Sequence, residues 1–149
     1  MNSSISFTVV GKASPSGSKK AFKHPKTGRI IVMDTAKGKD QWQAYCRSIA
    51  MQAAQKEGWS LETGAVALTI QFVFARPKSH YGTGKNAGKL KPNLPVWHTQ
   101  KPDRTKLLRC TEDAFTGVLW RDDSQVVLGQ VKKVWGEVSR ADVMVSVVS

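Results

Sequence analysis

Between Ala65 and Ala75 apolar and polar residues alternate, with Val66, Leu68, Ile70, Phe72 and Phe74 on one side. This period of two predicts a central strand with one buried face. From Thr35 to Glu57 the period lengthens: Trp42, Tyr45, Cys46, Ile49, Ala50, Ala53 and Ala54 recur at three and four residues, ahead of Gly58. That spacing predicts a helix with a glycine stop. A second helix is predicted from Asp103 to Thr116, where Leu107, Leu108, Thr111, Ala114 and Phe115 share one arc and Gly117 follows. Short β-rich runs at Ser4 to Val10 and Arg29 to Met33 predict a first strand and a hairpin arm. Gln125 to Trp135 and Ala141 to Val148 predict two more strands, joined through Gly136 to Arg140 as an antiparallel hairpin. The order of elements predicts an α+β fold: one compact domain over 1–149, with a mixed or antiparallel sheet packed against two main helices.

Between strand and second helix, Arg76 to Gln100 holds three prolines, four lysines and three glycines without periodicity. A long, flexible basic loop is expected over about 76–101. At 149 residues and 40% hydrophobic content the chain has enough apolar material for one core. Cys46 and Cys110 stand far apart in sequence with no CxxC or Cys/His cluster, so both read as small core residues rather than zinc ligands or a disulfide scaffold. No run approaches the roughly 18 apolar residues of a membrane span, and no signal peptide is visible, so no membrane partner and a cytoplasmic location are expected.

Charge changes the picture. Against 11 acids stand 23 Lys and Arg, a formal charge of +12, which points to a polyanion and first of all to nucleic acid. No acid occurs between Thr63 and Pro102, yet Asp103, Glu112, Asp113, Asp122 and Asp123 crowd into one short stretch. Carboxylates gathered in a cationic chain suggest a metal facing a phosphate backbone. Each has a bland reading too. Asp103 at a helix start can be a cap, and Arg109 with Asp113, four apart, can be a surface pair. Asp122 and Asp123 are adjacent at the start of a strand, so only one of them can face the helix. Carboxylates this close repel one another unless a cation sits between them, and Mg²⁺ suits such hard oxygen ligands.

The segment KPDRTKLLRCTEDAFTGVLWRDDSQV, Lys101 to Val126, resembles the RusA-type Holliday junction resolvases of bacteria, phages and prophages. It carries a Pro-Asp helix start, a basic residue within the helix, Asp-Ala-Phe near its end and then Trp-Arg-Asp-Asp-Ser-Gln-Val. GKASPSGSKKAF and HPKTGRIIVMD, ahead of the Trp42 helix, resemble the opening of many phage members. The resemblance implies a homodimeric, Mg²⁺-dependent endonuclease, with Mn²⁺ as a substitute and no small-molecule cofactor. Such an enzyme nicks two opposing strands of four-way DNA junctions in recombination and repair. By position it implies Asp103 and Asp123 as metal ligands and catalytic acids, with Asp122 and Asp113 beside them and Arg109 at the catalytic lysine position. Thr105 stands where the family has a second Asp, which removes a negative charge from the site. Arg109 keeps positive charge but cannot donate a proton at neutral pH. Lys106 is a candidate point charge near the scissile phosphate.

Lys19, Lys20, Lys23, Lys26, Arg76, Lys78, Lys101 and Arg104 are the expected phosphate contacts, with Trp97 or Phe22 as candidates for stacking on splayed bases. Two other readings compete with the endonuclease. One is a junction-binding protein whose metal site has decayed through Thr105. The other is a basic RNA-binding or ribosome-associated domain, which leaves the acidic cluster unexplained.

Overall fold

Strand β4 (Val66–Ala75) is the spine of the core, and Val66, Leu68, Ile70, Phe72 and Phe74 are all buried on its helix-facing side. The computed structural model describes residues 3–17, 19–23, 25–34 and 38–149, the side chains of 19–22 and 31–34 excepted. β1 (Ser4–Val10), β4, β5 (Val126–Gly136) and β6 (Arg140–Val147) form one sheet in the order β1-β6-β4-β5. β6 runs antiparallel to both β1 and β4, whereas β4 and β5 are parallel. β2 (Lys19–Lys23) and β3 (Ile30–Asp34) make a separate antiparallel ribbon, so the hairpin arm expected at Arg29 to Met33 finds its partner in the basic segment before it. The fold is α+β, with a mixed four-stranded sheet and two helices, α1 (Lys39–Glu57) and α2 (Arg104–Phe115). The helix start expected at Thr35 falls on 35–37, outside the described residues.

The expected hairpin of the last two strands is not formed, because β4 lies between β5 and β6. Burial explains the order. β6 buries Ala141, Val143 and Val145 and gains two neighbouring strands. β5 carries Gln130, Lys132 and Lys133, side chains an outer strand tolerates. Parallel β4 and β5 require a crossover, and α2 supplies it. Gly129 of β5 passes so close to β4 that a Cβ there would lie 1.9 Å from the Leu68 carbonyl oxygen.

The helices lock together through side chains that sequence periodicity placed inside. α1 turns Trp42, Cys46 and Ala50 inward at a spacing of four, and Gly58, at φ 68°, ends it with its N–H on the Ala54 carbonyl. Trp42 Nε1 donates to Thr111 Oγ1 of α2 at 3.0 Å, both buried, so neither polar group is stranded.

The segment expected as a flexible loop contains two turns of 3-10 helix, Lys78–His80 and Gly84–Asn86, and folds back through a Tyr81–Leu90 pairing. Its last residues add to the outer edge of β5: Trp97 pairs with Val134, and the Trp135 N–H donates to the Val96 carbonyl at 2.9 Å. Only the later half of β5 is covered this way among the described residues. In the earlier half Val127 and Leu128 are 54% and 60% exposed.

Candidate functional site

Helix α2 connects two electrostatically opposite neighbourhoods. Asp103 immediately precedes its first turn, but the side chain makes no capping hydrogen bond to the helix. The simplest structural reason for an Asp at this position is therefore absent. Its side chain is 62% exposed, with Lys106 Nζ 3.9 Å from Oδ2. A second cation comes from the sheet: Lys133 donates from Nζ to the Gln100 carbonyl at 2.6 Å. Burial lowers the pKa of that ammonium, while the Asp103 carboxylate works in the opposite direction. Beside it the His98 ring is buried, stacked on Phe74 at 4.0 Å and tilted on Trp135 at 4.4 Å. Burial first, then Lys133 and Lys12, hold His98 below its ordinary pKa, so the ring is neutral at pH 7.

The far end of α2 is acidic. Asp123 accepts a hydrogen bond from Thr116 Oγ1, whose oxygen also accepts from Trp120 Nε1 at 3.0 Å. Burial raises the pKa of Asp113, helped by the charge of Asp123 and a hydrogen bond with it, while Lys39 and Arg109 oppose the rise. Glu112 is raised as well, by burial and then by Asp123 and Asp113. The charge of Asp123 thus weighs on both Asp113 and Glu112, and a cation beside the Asp113–Asp123 pair would relieve it. Arg109, one turn earlier and exposed, acts on Asp113 but does not cancel the effect.

Of the two adjacent acids, Asp123 faces the helix. Asp122 is taken up by the turn: its side chain accepts from Ser124 N–H at 2.9 Å, and its own N–H donates to Gln125 Oε1 at 2.7 Å. Those contacts from Ser124 lower its pKa.

A metal shared by Asp103 and Asp123 meets a simple geometric test. The 12 residues of α2 separate the two ends, roughly 18 Å at about 1.5 Å rise per residue. No three His, Cys, Asp or Glu side chains converge on a metal-sized site among the described residues. Asp113 and Asp123 are brought together; Asp103 stands apart with Lys106 and Lys133; Asp122 caps a turn. The Asp113–Asp123 pair suits a hard cation that completes its shell with oxygens from elsewhere.

The expected phosphate contacts are spread around this helix. Arg104, with Leu108, Glu112, Val127, Leu128 and Val131, lines a groove of about 290 Å³ between α2 and the open half of β5. Lys101 and Thr105 are exposed beside Asp103. Lys78 lies in the first 3-10 turn, and Arg76 Nη1 lies 3.4 Å from His80 Nδ1. Lys23 and Lys26 are exposed on the β2–β3 ribbon and its turn. Lys19 and Lys20 lie on β2, and their side chains, like that of Phe22, fall outside the described residues. Trp97 is 56% exposed although its backbone pairs with β5.

Sequence reasoning passed over Lys133 and His98, and it counted Glu112 among the clustered acids without giving it a role. Periodicity carried no signal for Lys133: its place opposite the buried Phe72 follows from the pairing of β5 with β4, which only the tertiary structure sets.

Residues 11–146 match the family described as endodeoxyribonuclease RusA. The chain is also 30% identical over 145 residues, 97% of each chain, to the uncharacterized protein YqaN of Bacillus subtilis (strain 168).

Proposed function

The chain belongs to the RusA endodeoxyribonuclease family, and on that premise we propose that it is a Mg²⁺-dependent, homodimeric endonuclease that nicks two opposing strands of a four-way DNA junction. The observation that carries this reading is the polarity of α2, with an exposed Asp103 among lysines at one end and the Asp113–Asp123 pair at the other. A second copy docked antiparallel on the open edge of β5, along the Arg104 to Glu112 groove, places Asp103 of one copy against Asp113 and Asp123 of the other. Basic ends then meet acidic ends, and Val127 and Leu128 are covered. A two-fold axis generates two such sites, as symmetrical incision of two strands requires.

Within each such site Asp113 and Asp123 of one copy would hold the cation, and Asp103 of the other would add a carboxylate. Mg²⁺ or Mn²⁺ bound there supplies an acidified water and offsets the negative charge of the phosphate. Arg109 balances the carboxylates as a permanent cation. The β2–β3 lysines, Arg76, Lys78, Lys101 and Arg104 grip the phosphate backbone, so affinity falls steeply with salt. Among the described residues no helix is long and apolar enough to cross a membrane. The reading has the protein act on DNA in the cytoplasm of a bacterial cell or infected host, in recombination and repair.

Thr105 favours a second reading, a protein that binds junctions without cutting them, because a neutral hydroxyl replaces a carboxylate beside Asp103. A labelled four-way junction incubated with and without Mg²⁺ separates the two. Paired nicks that need the metal and disappear in Asp123→Asn support the endonuclease. Tight junction binding with no cleavage in Mg²⁺ or Mn²⁺ supports the second reading.

A further inference from the structure

Lys133 occupies an unusual place for a lysine. It lies opposite Phe72 on the sheet face that packs against the helices, near the end of an outer strand. The one hydrogen bond of its ammonium among the described residues is to the Gln100 carbonyl. An ammonium has three donors, so two remain for a ligand. The strand beneath it is clamped at the residue and just after it. The His98 N–H donates to the Lys133 carbonyl at 3.0 Å, the Trp135 N–H donates to Val96, and the His98 ring is wedged between Phe74 and Trp135.

Asp103 therefore has two quite different lysine neighbours. Lys106 is a helix-surface side chain that meets the carboxylate at 3.9 Å. Lys133 acts on it through space from a strand, with its backbone fastened and its ammonium held on the Gln100 carbonyl three residues before Asp103. A cation held in advance is what a displacement at phosphorus uses, because negative charge grows on the non-bridging oxygens and a fixed donor needs no reorganisation to meet it.

We propose that Lys133 is a substrate-contacting residue of the Asp103 end of the site, its ammonium gripping a non-bridging oxygen of the phosphate being cleaved. This rests on the junction-endonuclease reading above. In the composite site Lys133 arrives with Asp103 from one copy, while Arg109 belongs to the acidic end supplied by the other. The competing explanation is that Lys133 merely braces Gln100.

The test compares wild type, Lys133→Gln and Lys133→Arg as full-length proteins on a labelled four-way junction. Gln keeps a donor for the Gln100 carbonyl and removes the charge; Arg keeps the charge. Single-turnover cleavage is measured in Mg²⁺, and junction affinity is measured in Ca²⁺ over a range of salt. Lys133→Gln is expected to slow cleavage by about 100-fold while weakening binding far less, and to reduce the salt slope of affinity by about one. Lys133→Arg is expected to keep the slope and recover part of the rate.

Cleavage and slope both as in wild type overturn the proposal and leave the endonuclease reading standing. Equal losses in binding and cleavage also overturn it, since the contact would then favour bound substrate and transition state alike. A wild type that binds junctions but does not cut in Mg²⁺ or Mn²⁺ overturns the endonuclease reading and with it the catalytic role. The Lys133→Arg slope guards against a misfolded Gln variant: a slope that also falls with the charge retained overturns the phosphate contact.

Discussion

The two ends of α2 are separated by three helical turns and have opposite electrostatics. At the start an exposed Asp103 is outnumbered by Lys106 and Lys133. At the far end Glu112 and Asp113 are pushed toward protonation by burial and by Asp123, and only Asp113 gains partial relief, from Lys39 and Arg109. Among the described residues neither end gathers three metal-ligating side chains: the first has one carboxylate, and the second has the Asp113–Asp123 pair. Each holds what the other lacks. In the proposed dimer the open edge of β5 beside the helix, with Val127 and Leu128 exposed, is the surface across which two copies would exchange them.

Mixing is the most drastic way to break that comparison. Asp103→Asn and Asp123→Asn are each expected to lower junction cleavage roughly 1000-fold or more. If the two ends meet across a dimer, unfolding and refolding the inactive proteins together rebuilds one intact site in every mixed dimer, about a quarter of the wild-type sites in all. Nicking of one strand per junction should return. If it stays absent while mass measurements show mixed dimers, each site is built within one chain.

Leu128→Lys tests the edge that brings the ends together. The substitution places a charge in the groove that Leu108 lines together with Arg104 and Glu112, at a position where covering a leucine contributes about 2 kcal/mol. Sedimentation should show a shift from dimer to monomer, with the circular dichroism of the folded chain retained and cleavage lost. A variant that remains dimeric and active rules out the groove as the interface.

The smallest expected effect contrasts two neighbours. Asp122→Ala removes only the cap of a 3-10 turn, because its carboxylate accepts from Ser124. Cleavage should stay near the wild-type rate, with a slightly lower melting temperature. A loss comparable to that of Asp123→Asn would place Asp122 in the site after all.

Much of this was legible in the sequence because the responsible forces are local. The alternation from Val66 to Phe74 marked the buried face of β4, and the spacing of Trp42, Cys46 and Ala50 marked that of α1. The adjacency of Asp122 and Asp123 showed that only one could face α2. The choice between them depended on whether Ser124 and Gln125 would claim the other, a detail of turn geometry that strand periodicity does not contain.

The sequence by itself determined the helices, the strand-forming segments, the basic excess and the crowd of acids around α2, since composition and periodicity act over a few residues. It did not determine that β4 separates β5 from β6, because any two apolar strands joined by a short connection can pair. The deciding factor is which edge buries more, and β6 gains two neighbours by leaving β5 outside. Nor did it determine which carboxylates meet. Asp103 and Asp123 read as one constellation along the chain, yet a rigid helix holds them roughly 18 Å apart. Only the tertiary structure sets Asp113 against Asp123 and brings Lys133 from a distant strand to Asp103.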